Sequence, residues 1–449
     1  MEFSDSEALG WRPVTLEIEG LFGQVSHKIA IAKGGPVTII AGPNGCGKTH
    51  ALKLLRAVLA VDFNDLLSMP FNKIRVALSN GSIVSAERRE DGGTVYLDFE
   101  MRGPSGVIER FSVNSDEFDF DESDDLPPWM HRQANGRWYD ARVERYLSAR
   151  EIERRYGVSV STGTQRQNLI DQHEILQSLS ILSAPTLIDT KRLDTPLRTN
   201  VREDPVAFPG GPGSGGKVGR IGQYIAQIRQ QVSEARRESL SRSQDADEKF
   251  ASNLLKRSKK LVRQEDLVAE YERLSKLSEE LSLNALAGKA VSVKIPPNAD
   301  ETERRVLELF LQDWERKLEP LLPVHRKLTA LKRIVDDKFI GKTIRLDVRG
   351  GLHFRSSLGG EVRVDQLSSG EQHLLALFTL LIFSANSGSV VLIDEPEISL
   401  HAAWKHSFVS DIEEVARLND LTVILATHST AIINGRWDIV QEIGVVEER

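Results

Sequence analysis

The stretch Gly42-Pro-Asn-Gly-Cys-Gly-Lys-Thr49 decides the fold of this chain. It matches the pattern G-x-x-x-x-G-K-[ST], and it lies between a short β-branched run, residues 37–41, and a segment of helical character, residues 51–59. In such a loop the backbone N–H groups converge on a phosphate at the N-terminus of a helix. We expect Lys48 to reach the β- and γ-phosphates of a nucleotide and Thr49 to offer its hydroxyl to Mg²⁺. The residues predicted to surround the phosphates are Gly42, Pro43, Asn44, Gly45, Cys46, Gly47, Lys48 and Thr49.

A second apolar run, Val390-Val-Leu-Ile-Asp-Glu395, ends in two carboxylates. A strand would bring both to the carboxyl edge of the sheet, where α/β proteins bind their ligands. Asp394 is suited to hold Mg²⁺, directly or through water, and Glu395 is suited to polarise an attacking water. Such a run is a weak signal alone, but after a phosphate loop it indicates nucleotide hydrolysis.

The segment Leu367-Ser-Ser-Gly-Glu-Gln372 immediately precedes an apolar helix. A hydroxyl and a backbone N–H at a helix N-terminus can meet a phosphate, whereas the simpler interpretation of the same residues is a capping box. The candidates at this second position are Ser368, Ser369, Gly370 and Glu371.

These motifs, in this order, resemble those of the ABC ATPases. Leu367-Ser-Ser-Gly-Glu-Gln372 is similar to the ABC signature, Thr427-His428-Ser429 to the segment of the switch histidine, and Ser399-Leu400-His401 stands where the D-loop is expected. The resemblance implies an α/β fold, namely an ABC ATPase head: a P-loop NTPase with a mixed sheet flanked by helices. It also implies a head-to-tail dimer that holds ATP and Mg²⁺ between the phosphate loop of one protomer and the signature of the other. The residues it implies as catalytic are Lys48, Glu395 and His428.

The resemblance can be narrowed by spacing. Thr49 and Leu367 are 318 positions apart, far more than in transporter-type members, and the run Asp394-Glu-Pro-Glu-Ile-Ser-Leu-His401 resembles the SMC/RecF/OLD branch. More specifically, the chain resembles the bacterial AAA-15/AAA-21 stand-alone ATPases, many of which act in phage defence with a separate nuclease or toxin. Only 21 residues follow His428, so we expect no TOPRIM domain here and a TOPRIM-type nuclease as a candidate partner. In the best Q-loop candidate, residues 186–193, Lys191 stands where the family has Gln, and that role is not carried over.

Three segments are predicted: an N-terminal lobe over 1–204 with an antiparallel β-layer at 72–113, an insertion over 205–340, and a C-terminal lobe over 341–449. The insertion begins with a Gly/Pro-rich linker, residues 205–219. A heptad seam follows, a polar break at 239–248 interrupts it, and a helical stripe resumes at 267. We expect a large helical insertion with a short coiled-coil hairpin, or else an ordinary helical subdomain. The seam consists of Ile221, Ile225, Ile228, Val232 and Ala235.

Composition limits the alternatives. The net charge of −7 argues against a protein that coats nucleic acid, and the longest apolar run, residues 374–385, is shorter than the ~20 residues of a membrane span. The one cysteine, Cys46, fits a reducing compartment, so we expect a cytoplasmic protein. Cys46 is either a tolerated variable position or a reactive thiol at a helix N-terminus. The acidic run 115–125 is either a solvated loop or a hook for a basic partner.

The sequence is compatible with three functions. The leading hypothesis is an ATPase that senses a signal and controls a separate effector in anti-phage defence, which predicts a stable complex with a second protein. A RecF- or SMC-like DNA-repair ATPase would instead bind DNA in a salt-dependent way. A cytoplasmic ATPase subunit of a transporter would co-fractionate with membranes, although the large insertion argues against it.

Overall fold

The computed structural model describes residues 11–115, 130–132, 138–140, 145–147, 162–181, 185–189, 220–255, 262–288, 293, 295–347 and 350–444. The chain divides into two compact units: the first comprises Met1–Thr190, Asn386–Glu397 and Lys405–Arg449, and the second comprises Lys191–Ala385 and Ile398–Trp404. The three predicted segments do not coincide with these units, and that division stays a prediction. The predicted linker 205–219, Lys191 and all of the acidic run except Ser115 lie outside the described residues.

The strands, numbered along the chain, are β1 (Pro13–Leu21), β2 (Val25–Ala30), β3 (Val37–Ala41), β4 (Lys73–Leu78), β5 (Ile83–Asp91), β6 (Thr94–Arg102), β7 (Ile108–Asn114), β8 (Met130–Arg132), β9 (Trp138–Asp140), β10 (Arg145–Leu147), β11 (Thr186–Asp189), β12 (Lys342–Leu346), β13 (Leu352–Ser356), β14 (Glu361–Val362), β15 (Val390–Asp394), β16 (Thr422–Thr427) and β17 (Val440–Glu442). The α-helices are α1 (Lys48–Leu59), α2 (Phe63–Ser68), α3 (Thr162–Gln172), α4 (Glu174–Ile181), α5 (Arg220–Leu255), α6 (Gln264–Leu283), α7 (Glu301–Leu318), α8 (Leu322–Lys338), α9 (Ser369–Thr379), α10 (Lys405–Asn419) and α11 (Thr430–Ile433).

The first unit contains a five-stranded parallel sheet in the order β11-β15-β16-β3-β17. Its strands are short apolar runs because both faces are covered, and β3 is buried along its whole length. Asp394 is paired in register with Ala426, and Thr427 with Ala41. The carboxyl ends of β3, β15 and β16 therefore meet at one edge of the sheet, with β16 between the other two.

A six-stranded antiparallel sheet in the order β2-β1-β4-β5-β6-β7 forms the other layer of the first unit. The antiparallel layer predicted at 72–113 is confirmed by β4 to β7. One hydrophobic core joins this sheet to α1 and to the parallel sheet, with Leu16, Leu52, Phe99 and Leu392 among its members. The α/β class is confirmed: the described part of this unit contains the parallel sheet, this antiparallel sheet and a small antiparallel sheet of β8, β9 and β10.

The second unit contains the helical insertion, in which α7 packs against both α5 and α6. The polar break predicted at 239–248 is wrong, since α5 runs unbroken for 36 residues. The polar side chains there make contacts that suit a continuous helix: Arg242 pairs with Glu238 one turn away and with Glu319, and Ser239 donates to the Lys317 carbonyl. The predicted hairpin of two short stretches is thus replaced by α7 packed on two helices.

The predicted seam is buried where α5 continues beyond its first turns, at Ile228, Val232 and Ala235. Within the described ranges, no helix combines the length and apolar character that a bilayer crossing requires.

Candidate nucleotide-binding site

The phosphate loop connects β3 to α1 and turns through two left-handed glycines. Gly45 has φ 86° and Gly47 has φ 93°, backbone angles that residues other than glycine rarely adopt. A Cβ atom on Gly47 would lie 2.5 Å from Leu21 Cδ2, and one on Gly42 would lie 2.3 Å from the Ile443 carbonyl, whereas one on Gly45 would meet nothing within 4 Å. The loop is therefore packed against its own unit at both ends and open at Gly45, where a phosphate would approach its amides.

Lys48 is buried, and its ammonium is bound by the loop itself. Nζ donates to the carbonyl oxygens of Gly42 at 2.7 Å and Pro43 at 2.8 Å. Pro43, Asn44 and Gly45 are exposed. The ammonium group therefore lies beneath the exposed tip of the loop, where the predicted phosphate contact would replace its two carbonyl partners.

Cys46 is fully buried behind the loop, which favours the interpretation that it is an inert, tolerated residue. Its carbonyl oxygen lies 2.8 Å from Nε2 of the buried His27 on β2. The antiparallel layer therefore supports the phosphate loop from within the unit.

Thr49 and Asp394 lie side by side although 345 positions separate them in the chain. The Thr49 hydroxyl donates to Asp394 Oδ2 at 2.8 Å. This leaves hydroxyl lone pairs and carboxylate oxygens at one point, and these hard oxygen donors suit Mg²⁺. Mg²⁺ is commonly bound by one or two such side chains together with substrate phosphates and water, so the pair fits the predicted metal position.

Glu395 follows β15 directly and has a left-handed backbone, with φ 45°. Its N–H donates to the Ala426 carbonyl at 2.9 Å, which fixes the backbone at the sheet edge. A residue other than glycine in this conformation is strained by about 1–3 kcal/mol, and such strain concentrates at functional positions. The predicted water-polarising residue is therefore held in a conformation that the sheet imposes.

His428 contacts a residue that the sequence interpretation did not single out. Glu397 is 7% exposed, and its Oε1 accepts from Thr427 Oγ1 at 2.8 Å and from the His428 backbone N–H at 3.0 Å. The same oxygen lies 3.0 Å from His428 Nδ1. The signal was present in the Asp-Glu-Pro-Glu run, but nothing local indicates which distant side chain Glu397 meets.

The signature residues 368–371 belong to the second unit, at the N-terminus of α9. Ser368 and Glu371 form a reciprocal capping box: the Ser368 N–H donates to Glu371 Oε2 at 2.8 Å, and the Glu371 N–H donates to Ser368 Oγ. Lys342 Nζ bonds both carboxylate oxygens of Glu371, at 2.7 and 2.8 Å. Burial raises the pKa of Glu371, but the bonds from Lys342 and Ser368 outweigh this and hold the pKa below its ordinary value.

Ser368 and Ser369 are exposed, so the capping box leaves this helix end open to a ligand. Gly370 is backed by the Trp404 ring, 3.8 Å from where its Cβ would stand, and Trp404 Nε1 donates to the Lys338 carbonyl. Trp404 follows the predicted D-loop segment 399–401 in the same unit. The capping box is thus present, and the phosphate contact of these residues stays a prediction.

The structure brings Lys48, Thr49, Asp394, Glu395 and His428 to one sheet edge of the first unit. A glycine-rich loop after one parallel strand, a carboxylate pair after a second and a histidine after the strand between them define the head of an ABC-type P-loop ATPase. The catalytic and binding roles of the individual residues stay predictions.

A family comparison agrees with this class. Residues 219–434, just under half of the chain, match the family AAA_21, described as "AAA domain, putative AbiEii toxin, Type IV TA system". The predicted resemblance to the AAA-21 group is therefore confirmed over the signature, the carboxylate strand and the switch histidine, whereas the phosphate loop lies outside the matched range.

A curated relative is the energy-coupling factor transporter ATP-binding protein EcfA of Pediococcus pentosaceus, 24% identical over 145 residues. The match covers 28% of this chain and spans about half, 51%, of that relative. Solved structures with matching stretches include the Smc head domain of Pyrococcus furiosus bound to the C-terminal domain of ScpA, at 15% identity, TM-score 0.35 and coverage of 94% and 91% of the two chains. The SMC head of Thermotoga maritima matches at 12% identity, TM-score 0.32 and coverage of 96% and 94%.

Proposed function

We propose that this chain binds ATP with Mg²⁺, hydrolyses it in a nucleotide-sandwich dimer, and thereby controls a separate effector protein. The observation that carries the proposal is the bond between Thr49 and Asp394, because it joins the phosphate loop to the carboxylate strand. Lys48, Glu395 and His428 lie at the same edge of the sheet. These are the parts that phosphoryl transfer to water needs, since it depends on positioning and charge neutralisation.

Each residue then has a defined task. Lys48 exchanges the carbonyls of Gly42 and Pro43 for the β- and γ-phosphates of ATP. Thr49 and Asp394 hold Mg²⁺, which when bound neutralises phosphate charge. Glu395 orients and polarises the attacking water, and His428 contacts the γ-phosphate.

The exposed signature end of α9 supplies the reason for a dimer. The phosphate loop is open at Gly45, and Ser368 is exposed at the N-terminus of α9. A partner's signature would close the γ-phosphate side of the bound ATP, so ATP joins the protomers and hydrolysis releases them. This is a bistable arrangement biased by one phosphate group.

Control of an effector in anti-phage defence is the finer part of the proposal. It is supported by the description of the matched family, "AAA domain, putative AbiEii toxin, Type IV TA system", which associates such ATPase domains with a toxin system. A TOPRIM-type nuclease or a toxin is a suitable partner for a chain that contributes the ATPase head. The two proteins would act together in the cytoplasm. The DNA-repair alternative is less supported because a net charge of −7 disfavours contact with a polyanion.

The test uses Glu395→Gln, which should retain Mg²⁺–ATP and stop turnover. The variant is purified with Mg²⁺–ATP from the native host, and bound molecules are identified by mass spectrometry. A nuclease or toxin in fixed ratio supports effector control. If only nucleic acid is retained and it is lost at high salt, the result supports the DNA-repair alternative. If membrane proteins are retained, it supports the transporter alternative.

The matched control is the double variant Lys48→Ala/Glu395→Gln, which should bind no ATP and capture nothing. Normal hydrolysis by Glu395→Gln would contradict the assignment of Glu395. A trapped dimer that retains no second protein would contradict effector control.

A further inference from the structure

Glu397 is a buried carboxylate at the carboxyl edge of the parallel sheet, and it has no role in the ATP hydrolysis proposed for the neighbouring residues. Its polar contacts in the described part of the chain all involve Oε1. This oxygen accepts hydrogen bonds from Thr427 Oγ1 and the His428 backbone N–H, and it lies beside His428 Nδ1. Its Oε2 is buried without a hydrogen-bond partner among the described residues. Burial of a half-satisfied carboxylate is costly, so a purely structural role explains it poorly.

We propose that Glu397 is the positioning residue of His428, holding the imidazole by Nδ1 so that Nε2 alone is presented to the nucleotide. The contact to Nδ1 itself is part of the structure, whereas the nucleotide as the ligand of Nε2 rests on the proposed function.

The charge of Glu397 is what distinguishes this role from simple packing. The Thr427 hydroxyl and the backbone N–H of His428 are neutral donors, and a glutamine side-chain oxygen could also accept their hydrogen bonds. A carboxylate 3.0 Å from Nδ1 adds a preference for hydrogen on that nitrogen. Histidines that bind a metal through one nitrogen are commonly oriented in this way through the other.

The exposure of the ring agrees with this arrangement. The His428 side chain is 44% exposed, whereas that of Glu397 is 5% exposed. The ring therefore contacts a buried carboxylate through Nδ1, while much of its surface is open to solvent. A phosphate oxygen accepts hydrogen bonds, so a ring that carries hydrogen on both nitrogens can donate to Glu397 through Nδ1 and to a phosphate oxygen through Nε2.

Glu397 also links two loops. It lies two residues after Glu395, and its bonds to Thr427 and His428 span 30 and 31 positions of the chain. The loop that carries the water-polarising residue and the loop that carries the phosphate-contacting residue are therefore held together through this side chain, so neither can shift without disturbing the other.

The first test is a double-mutant cycle of Glu397→Gln and His428→Ala, measured as kcat for ATP. Glu397→Gln alone should lower kcat by about tenfold to a hundredfold, the usual cost of losing an orienting partner. In the His428→Ala background it should have less than a twofold effect, since its target is gone. An equal loss in both backgrounds would assign Glu397 a structural role and overturn the proposal.

Thr427→Val is the matched control, because it removes another partner of the same oxygen and leaves the contact between Glu397 and His428. Whatever kcat it costs should be the same with and without His428. If Thr427→Val showed the coupling expected of Glu397→Gln, general disturbance of the loop would explain both.

The second readout needs no activity. The ¹⁵N NMR shifts of the His428 ring report which nitrogen carries hydrogen, and in the wild type without nucleotide they should show hydrogen on Nδ1. Glu397→Gln should shift the population toward hydrogen on Nε2. Unchanged shifts would refute the positioning role, whereas normal shifts in a protein that never hydrolyses ATP would refute the proposed function alone.

Discussion

The ammonium group of Lys48 has two neutral partners, the carbonyl oxygens of Gly42 and Pro43. A phosphate is a far stronger hydrogen-bond partner for an ammonium group than a carbonyl is. Removing the Lys48 ammonium group should therefore weaken mainly nucleotide binding. We expect Lys48→Ala to raise the Kd for Mg²⁺–ATP by about a hundredfold or more. Calorimetric titration measures this directly.

Lys53→Ala is the control for Lys48→Ala, because Lys53 is an exposed lysine on the same helix. It should bind ATP as the wild type does. Equal affinity of Lys48→Ala and the wild type would remove Lys48 from the nucleotide site.

At the scale of the element, the turn from β3 into α1 depends on where each glycine stands. Gly45→Ala and Gly47→Ala both force a side chain into a left-handed backbone, but only the Cβ of residue 47 would stand 2.5 Å from Leu21 Cδ2. We expect Gly45→Ala to lower the unfolding free energy by about 1 kcal/mol, the cost of the backbone conformation. Gly47→Ala should cost about 1–3 kcal/mol more, the cost of overpacking.

Denaturant unfolding of the two variants measures that difference. Because the strained backbone is common to both, the difference isolates the contact with Leu21. Equal losses of unfolding free energy in the two variants would show that the end of the loop can move away from Leu21 without an energetic cost.

The N-terminus of α9 has a pH dependence that follows from Glu371. Folding lowers the pKa of this carboxylate, so Glu371 stabilises the fold fully above the ordinary glutamate pKa. That contribution disappears as the pH falls through the lowered folded value. The difference in unfolding free energy between wild type and Glu371→Gln should thus be largest near neutral pH and shrink below about pH 4.

Unfolding measured across this pH range tests the prediction. Glu361→Gln, at an exposed carboxylate of the same unit, is the reference variant. A difference for Glu371→Gln that stays constant with pH would contradict the role of the ion pair with Lys342.

At the scale of the whole molecule, the proposed dimer depends on the exposed signature end. Ser368→Arg should retain ATP affinity, since the phosphate loop is untouched, but should not pair, because a guanidinium would occupy the space of the partner's nucleotide. Combined with Glu395→Gln and Mg²⁺–ATP, it should elute as a monomer where Glu395→Gln alone elutes as a dimer. Light scattering after size exclusion measures this.

Ser180→Arg, at an exposed position on α4, controls for the added charge and should dimerise normally. If the variant that carries both Ser368→Arg and Glu395→Gln formed a dimer as stable as that of Glu395→Gln alone, the proposed nucleotide-sandwich dimer would be contradicted.

Much of the site could be predicted from the sequence because its parts are local. The phosphate loop needs glycines and a lysine at set spacings, and the carboxylate strand needs an apolar run ending in Asp394 and Glu395. The same local patterning misjudged α5, since a polar stretch reads as a break unless its partners, such as Glu319 for Arg242, are known.

By itself, the sequence determined the α/β class, the phosphate loop, the carboxylate pair and the position of His428. Only the tertiary structure decided that β16 separates β3 from β15, that Thr49 bonds Asp394, and that Glu397 contacts His428. The physical reason is that local patterns report which residues suit a strand, a turn or a helix. The partner of a side chain is set instead by the order and register of parallel strands, and these arise only when distant apolar segments share one core.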